Sequence, residues 1–235
     1  MAYHVSVYSP QINFWRLKAD LLNSGATLVG YGDVSEGLAK ELKHLPNAIS
    51  IAISHPVISL VPEDQSGEYY SNQYPQIDLK LEFLQLITKK NLQQHGWKYI
   101  LIPADSNRSD KRFIARVFNL FSHKTAATCA GLGWIGKNGL LVNEEHGARL
   151  SWATVLTDAP LPVNAPIKES ICGSCKRCVN ACPANAIKGI KWVRGLKEQP
   201  VDYEKCNKYL LELYHTYGQM VCGRCILSCC KGLTI

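Results

Sequence analysis

Long apolar runs are missing from this sequence. The most apolar stretch, Ala48 to Val61, is interrupted by Ser50, Ser54, His55, Pro56 and Ser59. It falls well short of the ~18 unbroken apolar residues of a membrane span. Met1 to Pro10 lacks a basic start followed by an apolar run and small residues, so it does not read as a secretion signal. Both absences predict a soluble, cytoplasmic protein without a membrane partner. Internal repeats and low-complexity tracts are also missing. Cysteine is nearly missing from the first 170 residues, where Cys129 stands alone. The other nine of ten lie between Cys172 and Cys230.

What is present describes a folded chain. At 235 residues, 46% hydrophobic and 19% charged, it has too much apolar content and too little charge for a disordered segment. It is long enough for one large domain, or one domain plus a small module. Without an export signal, clustered thiols belong to a reducing compartment and read as metal ligands before disulfides.

The first ~160 residues alternate helical and strand-like patterns. Ile12 to Asn23 carries a helical apolar stripe closed by Gly25, and Thr27 to Tyr31 is β-prone. Glu36 to Lys43 predicts a helix after Asp33 or Ser35 as cap. Ile49, Ile51 and Ile53 alternate in a strand over Ala48 to Ser54. Ile77 to His95 predicts a long helix with Leu79, Phe83, Leu86 and Ile87 on one side, closed by Gly96. Trp97 to Ile102 is a strand ended by Pro103, and Arg112 to Thr128 is helical. Leu140 to Val142 and Trp152 to Leu156 are two further strands. The class is α/β, with α+β layering because some strands adjoin directly. Pro160, Pro162 and Pro166 mark a boundary between an N-terminal domain, 1–165, and a cysteine module, 166–235.

The module opens with Cys172-Gly173-Ser174-Cys175-Lys176-Arg177-Cys178-Val179-Asn180-Ala181-Cys182-Pro183. This is C-x₂-C-x₂-C-x₃-C-P, the run that in bacterial ferredoxins holds three irons of one [4Fe–4S] cluster and reaches a second with its fourth cysteine. The second half, Cys222-Gly223-Arg224-Cys225-Ile226-Leu227-Ser228-Cys229, lacks one cysteine of that pattern, and Cys206 can replace it. The spacing assigns Cys172, Cys175, Cys178 and Cys229 to one cluster, and Cys182, Cys206, Cys222 and Cys225 to the other. Cys230 competes with Cys229 as the last ligand, the x₃ spacing favouring Cys229. Paired zinc sites are the alternative, but zinc has little use for the third and fourth cysteines of this run. Cys129 reads as a buried apolar residue.

The net charge of +7 suggests an acidic partner such as nucleic acid. Two oxidised clusters on eight thiolates would carry about −2 apiece, cancelling roughly half of it. Lys188, Lys191, Arg194 and Lys197 around Trp192 form the best candidate basic patch, against a solvated loop as the plain reading. His55, His123 and the group Tyr69, Tyr70 and Tyr74 stay open between a pocket and ordinary packing.

Gly131-Leu132-Gly133-Trp134-Ile135-Gly136-Lys137-Asn138-Gly139 imitates two nucleotide motifs. As G-x-G-x-x-G it has the wrong neighbours, a helix before it and a strand after it. As a phosphate loop it has Asn138 where Ser or Thr would hold magnesium. A glycine turn packing one layer on another is the plain reading.

Ala130 to Val142, then Thr154-Val155-Leu156-Thr157-Asp158, then the cysteine module resemble epoxyqueuosine reductases in order and approximate spacing. The resemblance is good over 112–230 and loose over the first 110 residues. It extends to the corrinoid domain and ferredoxin module of reductive dehalogenases. It implies a corrinoid-reductase-like α/β domain followed by a ferredoxin-like double-cluster module, with two [4Fe–4S] clusters and cobalamin as cofactors. The loop residues Gly133, Trp134, Gly136, Lys137 and Asn138 would lie against the corrinoid, Lys137 on a propionamide. Two departures accompany it. The family's catalytic Asp, about fourteen residues before the first loop glycine, has Val117 at the matching position; Asp105 and Asp110 are the nearest upstream acids. Longer members continue into a helical-repeat domain that helps hold tRNA, so the resemblance is to a short form.

The expected function is an iron–sulfur oxidoreductase passing electrons through two clusters to a cobalamin that reduces a small or nucleoside substrate. The alternative is an electron-transfer protein, a shuttle or a reductase of another protein's corrinoid, without its own substrate. Implied partners are an electron donor such as ferredoxin or flavodoxin, and tRNA. A domain of ~165 residues ahead of the clusters favours the enzyme, being larger than shuttling needs.

Overall fold

The computed structural model describes residues 13–56, 66–102, 104, 121–218 and 220–233. Helix α1 (Phe14–Asn23) begins where the Asn13 side chain accepts the Arg16 N–H at 3.0 Å, satisfying one of the donors a helix start leaves free. Ile12 lies outside the described residues. Strand β1 (Leu28–Asp33) pairs antiparallel with β2 (Asn47–Ser54), Leu28 opposite Ala52. Helix α2 (Ser66–Gln94) and strand β3 (Tyr99–Ile102) follow. Then come α3 (His123–Cys129), β4 (Trp134–Ile135), β5 (Leu141–Val142) and β6 (Leu150–Thr157).

The main sheet has the order β1-β2-β6-β3 and every pairing is antiparallel. The chain is therefore α+β in its layering. Both faces of the central strands are covered. Ile49, Ile51, Ile53, Ala153 and Val155 pack with Leu17, Leu21, Leu81 and Leu84 of α1 and α2. Ala48 and Leu156 point the other way, onto Val34, Leu38, Leu42, Leu45, Ala126 and Cys129. Alternation along β2 thus separates two cores and not core from solvent.

Two sequence expectations need correction. The helix over Glu36 to Lys43 reduces to a 3₁₀ turn at Lys40–Leu42. Gly37 takes φ +86°, which a continuing helix cannot use, and Asp33 accepts the Ser35 N–H in a local turn. On α2 the buried side is Ile77, Leu81, Leu84, Thr88 and Leu92, while Leu79 (68%) and Phe83 (55%) are exposed, with Leu86. This five-member stripe is longer, and the buried polar groups Thr88 within it and Gln85 beside it are bonded. Gln85 donates to the carbonyls of Ile102 and Thr154, and Thr88 to that of Leu84. The helix also starts upstream of Ile77 and carries Pro75 inside it.

Of the helical pattern over Arg112 to Thr128, α3 is the described part; Val117, Asp105, Asp110 and Pro103 lie outside the described residues. Among those described, no helix is long and apolar enough to cross a membrane.

Beyond β6 regular structure is sparse: α4 (Arg177–Asn180), α5 (Tyr203–Tyr217), α6 (Arg224–Leu227) and the bridges Glu169–Val193 and Ile187–Val201. Helix α5 is capped by Asp202, ends at the left-handed Gly218, and has no fully buried residue.

Candidate metal centre

The structure brings eight cysteines into two groups. The Cys178 thiol is pushed up to about 11, first by burial and then by the neighbouring thiols of Cys172, Cys229 and Cys175. The Cys225 thiol is pushed up to about 12, first by burial and then by Cys222, Cys178, Cys206 and Cys182. Burial also raises Cys206, with Cys182 and Cys222 adding to it. The groups are therefore Cys172, Cys175, Cys178 and Cys229, and Cys182, Cys206, Cys222 and Cys225. They adjoin, since Cys178 also acts on Cys225. Thiols crowded in low dielectric resist ionisation until a cation core binds them. Among the described residues, no three His, Cys, Asp or Glu side chains close tightly enough to hold a single ion.

The chain crosses between the groups twice. Cys178 lies in short helix α4 and Cys182 just past its end, placing the fourth cysteine of the first run with the second group. Helix α6 does the same for Cys229 after Cys225. Sulfurs are met by N–H donors: Ala186 to Cys182 at 3.3 Å, and the backbones of Lys231 and Ala148 to Cys229. Cys230 stands beside the first group, its sulfur 3.8 Å from that of Cys175. Cys129 is buried in the sheet core, far from either role in sequence and packed with Leu45 and Leu156.

The glycine loop closes on this centre. Trp134 (2% exposed), Lys137 (6%) and Asn138 (6%) are buried, with Gly133 and Gly136. The Trp134 indole donates to Cys172 Sγ at 3.3 Å. Lys137 Nζ donates to the carbonyls of Gly173 and Cys175, both at 2.8 Å. Asn138 Nδ2 reaches the Cys225 carbonyl at 3.2 Å. A side chain at Gly133 would collide with the Val142 carbonyl in the β4–β5 hairpin. Of the five residues expected against a corrinoid, Trp134, Lys137 and Asn138 thus have their side-chain donors engaged by the cysteine segments, while the Gly136 N–H bonds the Leu140 carbonyl within the loop. In place of the propionamide contact expected of Lys137, its amine is bonded to two peptide carbonyls.

Several contributors were not legible in the sequence. Arg149 (3% exposed) donates to the carbonyls of Cys229 and Lys231 at 2.9 and 2.5 Å. No local motif announces it. Ser66 donates to the Cys222 carbonyl at 2.5 Å, and Tyr70 packs against Gly223. His55 lies edge-on to Tyr70 and Tyr74, with Nε2 3.0 Å from Ser151 Oγ. Burial pushes the His55 imidazole down to about 4 and raises the Tyr70 phenol. His123 is 2.9 Å from Thr154 Oγ1. The basic patch around Trp192 is largely spent within the chain. Lys188 pairs with Glu198, Lys191 with Glu169, and Arg194 bonds Thr128 and the Ile167 carbonyl.

Residues 165–188 match the family model of a 4Fe-4S binding domain. The epoxyqueuosine reductase of Cyclobacterium marinum is 42% identical over 84 residues, 36% of this chain and 24% of that protein. A catabolic reductive dehalogenase in complex with 3-bromo-4-hydroxybenzoic acid superposes with a TM-score of 0.69 at 21% identity, covering 96% of this chain and 32% of that one. An epoxyqueuosine reductase bound to an epoxyqueuosine-modified tRNA stem loop superposes with a TM-score of 0.58 at 18% identity, covering 94% and 66%. The matched segment spans about a quarter of the curated relative. The chain is an iron–sulfur protein carrying a 4Fe-4S binding segment. Its sequence resembles epoxyqueuosine reductases, and its fold is shared by them and by reductive dehalogenases.

Proposed function

We propose that this chain is an iron–sulfur oxidoreductase of epoxyqueuosine reductase type. Cys172, Cys175, Cys178 and Cys229 would hold one [4Fe–4S] cluster and Cys182, Cys206, Cys222 and Cys225 a second, which would supply single-electron transfer from a donor such as ferredoxin or flavodoxin. The observation that carries this reading is the double crossing of the cysteine segments between the two thiol groups, the arrangement of a double-cluster ferredoxin. When bound, such a cluster stores one electron and passes it on. The chain's own residues bury the thiols, direct N–H donors at sulfur, and hold the ligand segments through Lys137, Asn138 and Arg149. Residues 166–235 form the electron-transfer module in this reading, and 1–165 the substrate side.

The resemblance adds cobalamin as the electron acceptor and a nucleoside, carried on tRNA, as the substrate class. The engagement of Lys137 and Asn138 by the cysteine segments favours a second reading: an electron-transfer protein without its own substrate. Anaerobic reconstitution with iron, sulfide and hydroxocobalamin, followed by metal analysis and EPR, separates the two. About eight irons with one cobalt supports the enzyme, and about eight irons without cobalt the shuttle. About four irons refutes the double-cluster assignment.

A further inference from the structure

We propose that Lys137 and Arg149 set the two clusters apart in potential, making the cluster on Cys172, Cys175, Cys178 and Cys229 the easier one to reduce. The inference rests on the two-cluster reading above. All four acceptors of these cations lie on segments of that first group: the carbonyls of Gly173 and Cys175 for Lys137, and of Cys229 and Lys231 for Arg149. Both side chains are almost fully buried. Among the described residues neither takes part in an ion pair; the pairs there involve Lys188, Lys191, Lys205, Lys231 and His146. Their charge is consequently left to act on whatever negative charge the thiol group carries, at low dielectric and with little screening.

The second group is served differently. Arg224 beside Cys222 is only half-buried, so solvent weakens its field. Lys205, next to Cys206, is exposed and paired with Asp202, and the other neighbours include the neutral phenols of Tyr203 and Tyr209, and Asn138, which donates to the Cys225 carbonyl without charge. The first group also has the Trp134 indole donating to Cys172 Sγ, which favours the more negative state of the sulfur.

Reduction adds one electron and no proton, so a fixed buried cation stabilises the reduced form of the cluster beside it. One electron then leaves the reduced second cluster and reduces the first, with no bond made or broken. The second cluster lies against the exposed helix α5 through Cys206. The first abuts the sheet, where Arg149 leads into β6. Electrons from a one-electron carrier therefore enter on the α5 side and move toward the sheet.

The test is an EPR-monitored redox titration of the reconstituted full chain and of its variants Lys137→Gln, Lys137→Arg and Arg149→Gln, with iron and sulfide measured on each. Cys178→Ser, which alters one cluster's spectrum, assigns the couples. Lys137→Gln should lower the reduced fraction of the first cluster about tenfold at fixed potential, ~59 mV for a one-electron couple. The second couple should stay in place, and Lys137→Arg should keep the native value. Arg149→Gln should move the same couple in the same direction, and decides the matter should Lys137→Gln not assemble. Equal movement of both couples, or movement of neither with full iron, overturns the proposal. A native chain loading only about four irons overturns the two-cluster reading instead, before any potential is measured.

Discussion

The sheet region and the cysteine module are held together by different means. In the sheet region β2 and β6 are buried on both faces, and two apolar cores contain most of the fully buried side chains. The module's own apolar core has three fully buried residues, Ala186, Ile187 and Val201, with Cys178, Cys182, Cys206 and Cys225 packed around them. Its longest helix buries nothing completely. A segment that hides so little apolar surface cannot offset its chain entropy by that route. The thiols stand where a core would be, and in the proposed reading ligand bonds take over its task. Between the two regions sits a third cluster, in which Tyr70, Trp134 and Val142 meet Ile226, Cys172 and Cys229.

The largest expected effect comes from removing the metal. Amide protection should collapse across 172–230 while β2 and β6 keep theirs, since metal binding supplies folding energy only where ligands replace a core. Peptide-resolved hydrogen exchange with and without chelator reads this directly. Simultaneous loss in both regions would make them one cooperative unit and dissolve the contrast. Next, Cys206→Ala should cost about half the bound iron, and full retention would remove Cys206 from the ligand set. On the sheet side, Leu81→Ala should destabilise by ~2–5 kcal/mol in denaturant melts while leaving iron per chain unchanged.

His55 sharpens the contrast by pH. Burial holds its folded pKa at about 4, against 6.5 when free. Its stabilising neutrality is complete above 6.5 and declines as the pH falls, because only the unfolded chain then takes the proton. The loss levels off below about 4, at ~3 kcal/mol in total. Thermal melts from pH 7 to 4.5 should show this fall, and His55→Gln should flatten it. Smallest of all, Phe83→Ala on the exposed side of α2 should stay within ~0.5 kcal/mol. A larger cost would mean that this side is covered in solution.

Where one local pattern had a single physical outcome, it was legible before folding. Gly25 and Gly96 close helices with φ of +104° and +76°, conformations that favour glycine over any other residue. Ile49, Ile51 and Ile53 share one face because a strand repeats every two residues. The helix face of α2 was not legible, because Ile77/Leu81/Leu84 and Leu79/Phe83/Leu86 are both valid stripes. Packing of Ile77, Leu81 and Leu84 into the sheet core, with Gln85 bonded to Ile102 and Thr154, selects between them. Likewise the 3₁₀ turn at Lys40–Leu42 follows from Gly37 and the Asp33–Ser35 turn, which outweigh helical spacing across eight residues.

By itself the sequence determined the 4Fe-4S binding run that opens the module. The spacing of Cys172, Cys175, Cys178 and Cys182 states how a short loop and a following helix turn distribute sulfurs, and that is local geometry. The tertiary structure decided what surrounds them. The glycine loop and Arg149 meet the cysteine segments across separations of 36 to 87 residues. Such contacts exist only once β4, β5 and β6 have carried those residues to the module. Whether Lys137 faces solvent, a cofactor or two peptide carbonyls depends on that long-range packing, and no periodicity or spacing records it.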